Sequence, residues 1–142
     1  MQTKLELDMV LDERSDKSFG TVTRKILLES HSHRLFAYFL FQVAYDPLVV
    51  LDFLTSAETI FLEYFIKYLR FMDQDFESFV AQCNQLIKLN DDFKDVLEDT
   101  QGMLSQLRDK IDILHQRNLF AFSPGPLLRR IDRVLSLMSG LN

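Results

Sequence analysis

The stretch TIFLEYFIKYLRFM, residues 59–72, restricts this chain more than any other part of it. Its polar residues Glu63, Lys67 and Arg70 fall at i, i+4 and i+7, so on a helix they form one narrow stripe, with Glu63 and Lys67 placed for an ion pair. From Ile60 to Phe71 every other position is apolar or aromatic. A helix of that kind has to be covered on most sides, which predicts a place at the centre of the fold. Just before it, Thr55-Ser56-Ala57-Glu58 has the hydroxyl-x-x-glutamate form of a capping box, and a helix start is expected there.

The flanking segments also read as helices. A first one is expected from about Thr23 to Tyr45, with Ser30 to His33 as a bend or break. It stops at Asp46-Pro47, because the residue before proline is pushed out of the α region. Asp46 then serves as N-cap and Pro47 as first residue of a short apolar helix, PLVVLDFL. Asp73 is read as the cap of the next helix, whose stripe is Phe76, Phe79, Val80, Cys83, Leu86 and Ile87. Asn90-Asp91-Asp92 opens another, with the stripe Phe93, Val96, Leu97, Leu104, Leu107, Ile111 and Leu114, and with Gly102 as a weak point inside it. A turn is expected at Arg117-Asn118. LFAFSPGP is an extended connector. Ser123 caps and Pro124 starts the last helix, which carries Leu127, Leu128, Ile131, Val134, Leu135 and Met138 and ends at Gly140.

These segments predict an all-α fold: one compact domain of about six helices over residues 21–142, arranged as a helical repeat of HEAT or armadillo type or as an irregular bundle. Four Gly and three Pro in 142 residues are too few for a β-sandwich. Residues 1–20 mix charges with a short apolar patch. The alternation Leu5, Leu7, Met9, Leu11 suits a strand but has no second strand to pair with, so an N-terminal arm is expected, disordered or ordered on contact.

A formal net charge of -5 argues against a nucleic-acid binder, which carries a basic excess. Cys83 stands alone, so no disulfide closes within the chain, as in a reducing compartment. The N-terminal residues lack the apolar run of a secretory signal. The most apolar stretch, residues 35–54, is interrupted by Gln42, Asp46, Pro47 and Asp52 and is read as two buried helices, not a membrane span. A soluble protein of cytoplasm or nucleus is expected.

No constellation of catalytic residues stands out, and no enzyme activity, metal or cofactor is expected. His31-Ser32-His33 has poor spacing for zinc on a helix face and is read as a solvent-facing kink or helix end. Cys83 lies on an apolar stripe and is read as a packing residue. The acidic region from Asp73 to Asp99 lacks the ligand pattern of a diiron or EF-hand site and is read as caps and a solvated face. The four glycines are too scattered for a phosphate loop. The aromatics are interleaved with Leu and Ile at helical spacing, which is a core pattern rather than a base-stacking one.

Two stretches carry a family resemblance. Residues 43–71, VAYDPLVVLDFLTSAETIFLEYFIKYLRF, resemble the Lines family through Asp46, Leu51, Asp52, Leu54, Glu58, Phe61, Leu62, Glu63, Tyr64, Phe65, Tyr68 and Leu69. Residues 114–131 resemble the C-terminal L-F-x-[FY]-x-P-x-x-L-L motif of that family through Leu119, Phe120, Phe122, Pro124, Leu127 and Leu128. The resemblance implies correspondence with the C-terminal part of much longer proteins. It also implies a non-catalytic role in signalling and gene regulation, in the segment-polarity and Wingless/Wnt setting, exerted through protein partners. It transfers no site residues.

Candidate partner contacts come from the residues instead. Phe120 and Phe122 lie in a connector whose periodicity does not require burial, and Arg129, Arg130 and Arg133 lie on the last helix. The competing readings are phenylalanines that plug the core of the domain and arginines that fold back onto the acidic region. A homodimer through an uncapped helical face is a further possibility. The alternative function is a bundle that holds a lipid or other apolar ligand in its aromatic core.

Overall fold

The computed structural model describes residues 20–56, 60–120 and 123–141, with side chains from His31 onward. Six helices run α1 (Gly20–Gln42), α2 (Pro47–Thr55), α3 (Phe61–Gln74), α4 (Phe76–Leu89), α5 (Val96–Gln116) and α6 (Gly125–Ser139), with a 3-10 turn at Asp91–Phe93. No strand occurs among the described residues, so the chain is all-α. The expected arm, residues 1–20, lies outside them except for Gly20.

Helix α1 runs through Ser30 to His33 without the expected break. It ends in a tight turn in which Ala44 and Tyr45 both take left-handed φ, 55° and 54°. Two non-glycine residues in that region cost about 1–2 kcal/mol each. The bond from Tyr45 N–H to Leu40 C=O, 2.9 Å, and the packing of Tyr45 on the core offset that cost. The chain then turns through 112°, and Asp46 caps α2 as expected, its side chain accepting from Leu48 N–H at 2.9 Å. No single described helix is long and apolar enough to cross a membrane.

Three start signals fall differently from their sequence reading. The Thr55 hydroxyl donates to Leu51 C=O, 3.0 Å, inside α2, while α3 begins after Ile60 with no side-chain cap. Asp73 lies within α3, and Asp75 precedes α4. At α6 the residue before the helix is Pro124 and Ser123 makes no cap bond. At Asp73 a tertiary demand, the pairing with Arg130 and Arg133, takes the place of a local cap bond worth about 1 kcal/mol. Asn118 does close the turn after α5, with a left-handed φ of 56° that asparagine tolerates.

The helices form two units of three. α1 packs on α4, α2 on α5 and α3 on α6. Along α1 and α4 the contacts rise together, His33 with Phe79 and Arg34 with Gln82 and Gln85, and Phe41 then meets Phe93 in the 3-10 turn that follows α4, so these helices run parallel. Packing of each helix on the one three places later is compatible with a helical repeat and with an irregular bundle alike. α5 is the most surrounded helix, touched by α1, α2, α4 and α6. α3 is covered on most sides, as its composition implies. Phe61, Phe65, Tyr68, Leu69 and Met72 are buried and its other apolar side chains are half-buried, while Ile60, just before the helix, is 79 % exposed. The stripe of α5 has the regular helical period, so one long helix can serve four neighbours.

Two features of α5 are open to improvement. Gly102 sits mid-helix, and an added Cβ would meet nothing within 4 Å. Gly102→Ala is expected to stabilise the domain by about 1 kcal/mol, read as a higher urea midpoint at unchanged slope. The Thr100 hydroxyl is buried with no hydrogen-bond partner. Thr100→Val keeps the shape and removes the stranded group. It should stabilise by roughly 1–2 kcal/mol, and a fall in the thermal midpoint would show that the hydroxyl has a native partner.

Candidate functional site

Helix α1 places His33, Phe36, Ala37 and Leu40 on its buried face, at i, i+3, i+4 and i+7. A histidine therefore occupies a core position, only 1 % exposed, instead of the solvent-facing kink expected of the His31-Ser32-His33 cluster. His31 is exposed. A polar ring can be buried only with its nitrogens satisfied. Nε2 lies 3.3 Å from the Asp75 carboxylate and Nδ1 lies 2.8 Å from the Tyr68 hydroxyl. An ionised carboxylate only accepts, so Nε2 carries a proton toward Asp75, and in the neutral ring Nδ1 then accepts from the tyrosine. The ring stacks on Phe71 at 4.9 Å and meets Phe79 edge-on at 5.7 Å. His33 thus ties α1 to α3, through Tyr68 and Phe71, and to α4 through Phe79 and Asp75 before it. The periodicity of α1 marks this position in the sequence, but the histidine pair masks it.

The Asp-His-Tyr chain has the connectivity of a proton relay but not the setting of one. Burial raises the Tyr68 hydroxyl well above the ordinary range, with Tyr64, Cys83 and Asp75 adding in the same direction. Cys83, buried in α4 as expected, is pushed up to about 12 by desolvation. Groups held neutral this firmly are poor nucleophiles. Among the described residues no three His, Cys, Asp or Glu side chains are grouped to hold a metal.

Beside this cluster an open groove of about 340 Å³ is lined by Ser32 of α1 and by Ile60, Tyr64, Tyr68 and Phe71. The expected Glu63–Lys67 pair forms its rim at 2.9 Å. Its ammonium, hydrogen-bonded to the Glu63 carboxylate, holds that carboxyl below the ordinary range, and in this exposed setting solvent screens the pair. The aromatic core itself is built of rings against rings, Phe36 on Tyr68 at 4.3 Å and Phe61 on Phe65 at 5.6 Å. An apolar ligand in that core would have to displace those contacts.

The candidate partner contacts stand in different surroundings. Phe120 is half-buried and packs on the core, and Phe122 lies outside the described residues. Arg133 donates to the Asp73 carboxylate at 2.8 Å, and Arg130 stands 3.9 Å from the same oxygen. These two arginines fold back onto the acidic region, joining α6 to the end of α3. Arg129 is exposed and has no ion-pair partner among the described residues. A similar clasp joins Arg108 of α5 to Asp132 of α6 at 2.8 Å.

The signature of the α2–α3 region is matched in known proteins. The family model described as Lines N-terminus matches residues 2–83, more than half of the chain. The chain belongs to the Lines family. Protein Lines homolog 1 of Homo sapiens is 46 % identical over 52 residues, 37 % of this chain and 7 % of that protein. Its Mus musculus counterpart is 51 % identical over 51 residues, 36 % of this chain and 7 % of that protein. Protein lines of Drosophila melanogaster is 30 % identical over 92 residues, 65 % of this chain and 10 % of that protein. The chain therefore matches a tenth or less of the length of these Lines relatives. No solved structure matches it.

The match corrects the expected correspondence with the C-terminal part of Lines proteins. The matched model is that of the N-terminus. The α2–α3 signature, residues 43–71, lies inside the matched span, whereas the motif at 114–131 lies beyond it. The second motif is short and is built of residues that any connector and amphipathic helix would supply. Phe120, Pro124 and Leu127 serve the packing of α6 here.

Proposed function

We propose that this chain acts as a non-catalytic protein-interaction module, a stacked pair of three-helix units that presents preformed helix surfaces to other proteins. One observation carries this reading: the reactive side chains are turned inward while large apolar ones are displayed. His33, Tyr68 and Cys83 are buried, yet Leu48, Leu89 and Leu119 are 55 %, 72 % and 66 % exposed. The setting we propose, suggested by the likeness to Lines proteins, is protein-mediated signalling and gene regulation of the Wingless/Wnt and segment-polarity kind, inside the cell in cytoplasm or nucleus. The exposed Arg129 and Leu119 are the contacts to vary first. They can change without breaking the Asp73 clasp that Arg130 and Arg133 make.

The test is quantitative affinity capture from cell extract with the purified chain. A small, reproducible set of regulatory proteins is expected on the folded wild type and not on heat-unfolded chain. At least one member should be lost with Leu119→Ser or Arg129→Glu, or with substitutions on the surface described next. Capture indistinguishable from that of unfolded chain would overturn the reading.

A further inference from the structure

The parallel pair α1 and α4 leaves one strip of outward side chains with an unusual order. On α1, Arg34, Tyr38 and Phe41 follow each other at i, i+4 and i+7. On α4, Gln82, Gln85 and Leu89 follow at i, i+3 and i+7. At one end of the strip Arg34 Nε donates to Gln82 Oε1 at 2.7 Å and Nη2 donates to Gln85 Oε1 at 2.5 Å. These bonds fix the guanidinium across the two helices. They engage the carbonyl oxygen of each glutamine, while the amide N–H groups and the remaining guanidinium nitrogen are donors with no further partner among the described residues.

No carboxylate among the described residues pairs with Arg34, although Arg108, Arg130 and Arg133 each have one and the chain as a whole is acidic. The other end of the strip is apolar. Tyr38 and Phe41 are 43 % and 39 % exposed, with their rings held against Phe93 at 5.3 and 4.9 Å, and Leu89 is 72 % exposed. Along α1 the two aromatics lie about 6 and 10 Å from Arg34. The exposed carboxylates Asp91 and Asp92 follow directly after Leu89.

We infer that the α1–α4 strip is a docking site for an acidic-apolar peptide segment of a protein partner. A carboxylate of that segment is received by Arg34 and the two amides, and its apolar side chains by Tyr38, Phe41 and Leu89. A cluster rich in donors around an arginine with no carboxylate partner favours an acceptor-only group, and a carboxylate on a fixed guanidinium gives charge-assisted bonds. The charge order also sets a direction, acidic end at Arg34 and neutral or basic end at Asp91 and Asp92. This inference rests on the interaction reading and gives it a surface and a partner chemistry.

Displayed random peptides of about 16 residues, roughly 24 Å long as helices, can be selected on the purified chain and the winners titrated in solution. Winners are expected to share an aspartate or glutamate spaced from apolar residues. Their affinity should fall at least tenfold with Arg34→Ala and with Leu89→Ser. Amidation of the shared peptide carboxylate should cost the same factor on wild type and little more on Arg34→Ala. Leu89→Ser alters an already exposed side chain, so it stays informative if Arg34→Ala perturbs folding. Winners that bind both variants as well as wild type overturn this surface and leave the interaction reading standing. If no peptide is enriched, this surface also falls, and affinity capture alone decides the broader reading.

Discussion

Phe65→Ala is expected to cost about 3–5 kcal/mol of folding stability, the range for a fully buried phenylalanine removed from a packed core. Phe65 has no exposed surface and stands between Phe61 at 5.6 Å and Phe36 at 6.1 Å, so its loss opens a void between α1 and α3 and breaks two ring pairs. A domain of this size has about 5–15 kcal/mol in total, so the variant should be partly unfolded at body temperature. Chemical denaturation followed by circular dichroism reads the change. Ile60→Ala, one turn earlier but 79 % exposed, is the matched control and should cost under about 0.5 kcal/mol. Equal effects at the two positions would mean that α3 does not bury the face described.

A second large effect is expected in alkali. Desolvation pushes the Cys83 thiol up from 9.0 to about 12, and burial raises the Tyr64 and Tyr68 hydroxyls above their usual range. Tyr45 is pushed up to about 12 by burial, with Asp99, Cys83 and Asp95 adding to it. Each of these groups ionises in the unfolded chain at a pH where the folded chain still holds the proton. Their contribution is fully present below about pH 9 and is lost as pH rises toward 12. Every such group then removes about 1.4 kcal/mol of stability per pH unit. Tyr45 contributes less, because it is only half-buried.

The denaturation midpoint should be flat from pH 7 to 8.5 and fall steeply above pH 10. Cys83→Ala should soften the first part of that fall, between pH 9 and 10. A midpoint that holds through pH 11, or a native thiol that reacts with disulfide reagents at the rate of unfolded chain, would show that these groups are open to water.

Much of the architecture is legible in the residues alone. The stripe of α5 and the Asp46-Pro47 start of α2 are local patterns, set by helical period and by the missing N–H of proline. So is the burial of Cys83, which follows from its place on the stripe of α4. The aromatic signature around α3 also placed the chain in its family. Starts that depend on a single side-chain bond were less legible. Thr55, Asp73 and Ser123 each resemble a cap, but a cap bond of about 1 kcal/mol yields to the packing of whole helices. Asp73 is used for Arg130 and for Arg133, the latter 60 residues away along the chain.

The candidate surfaces divide in the same way. Periodicity separates inward from outward positions on one helix, so the sequence by itself determined that the fold is helical and which faces are apolar. It could not say that helix i stacks on helix i+3, because that pairing depends on angles set by turns such as the left-handed pair Ala44 and Tyr45. Only the tertiary structure put His33 between Tyr68 and Asp75, and Arg34 against Gln82 and Gln85. These partners lie 35 to 51 residues apart. Whether a polar side chain is a core clasp or a recognition element depends on what reaches it from another helix, and no local pattern encodes that.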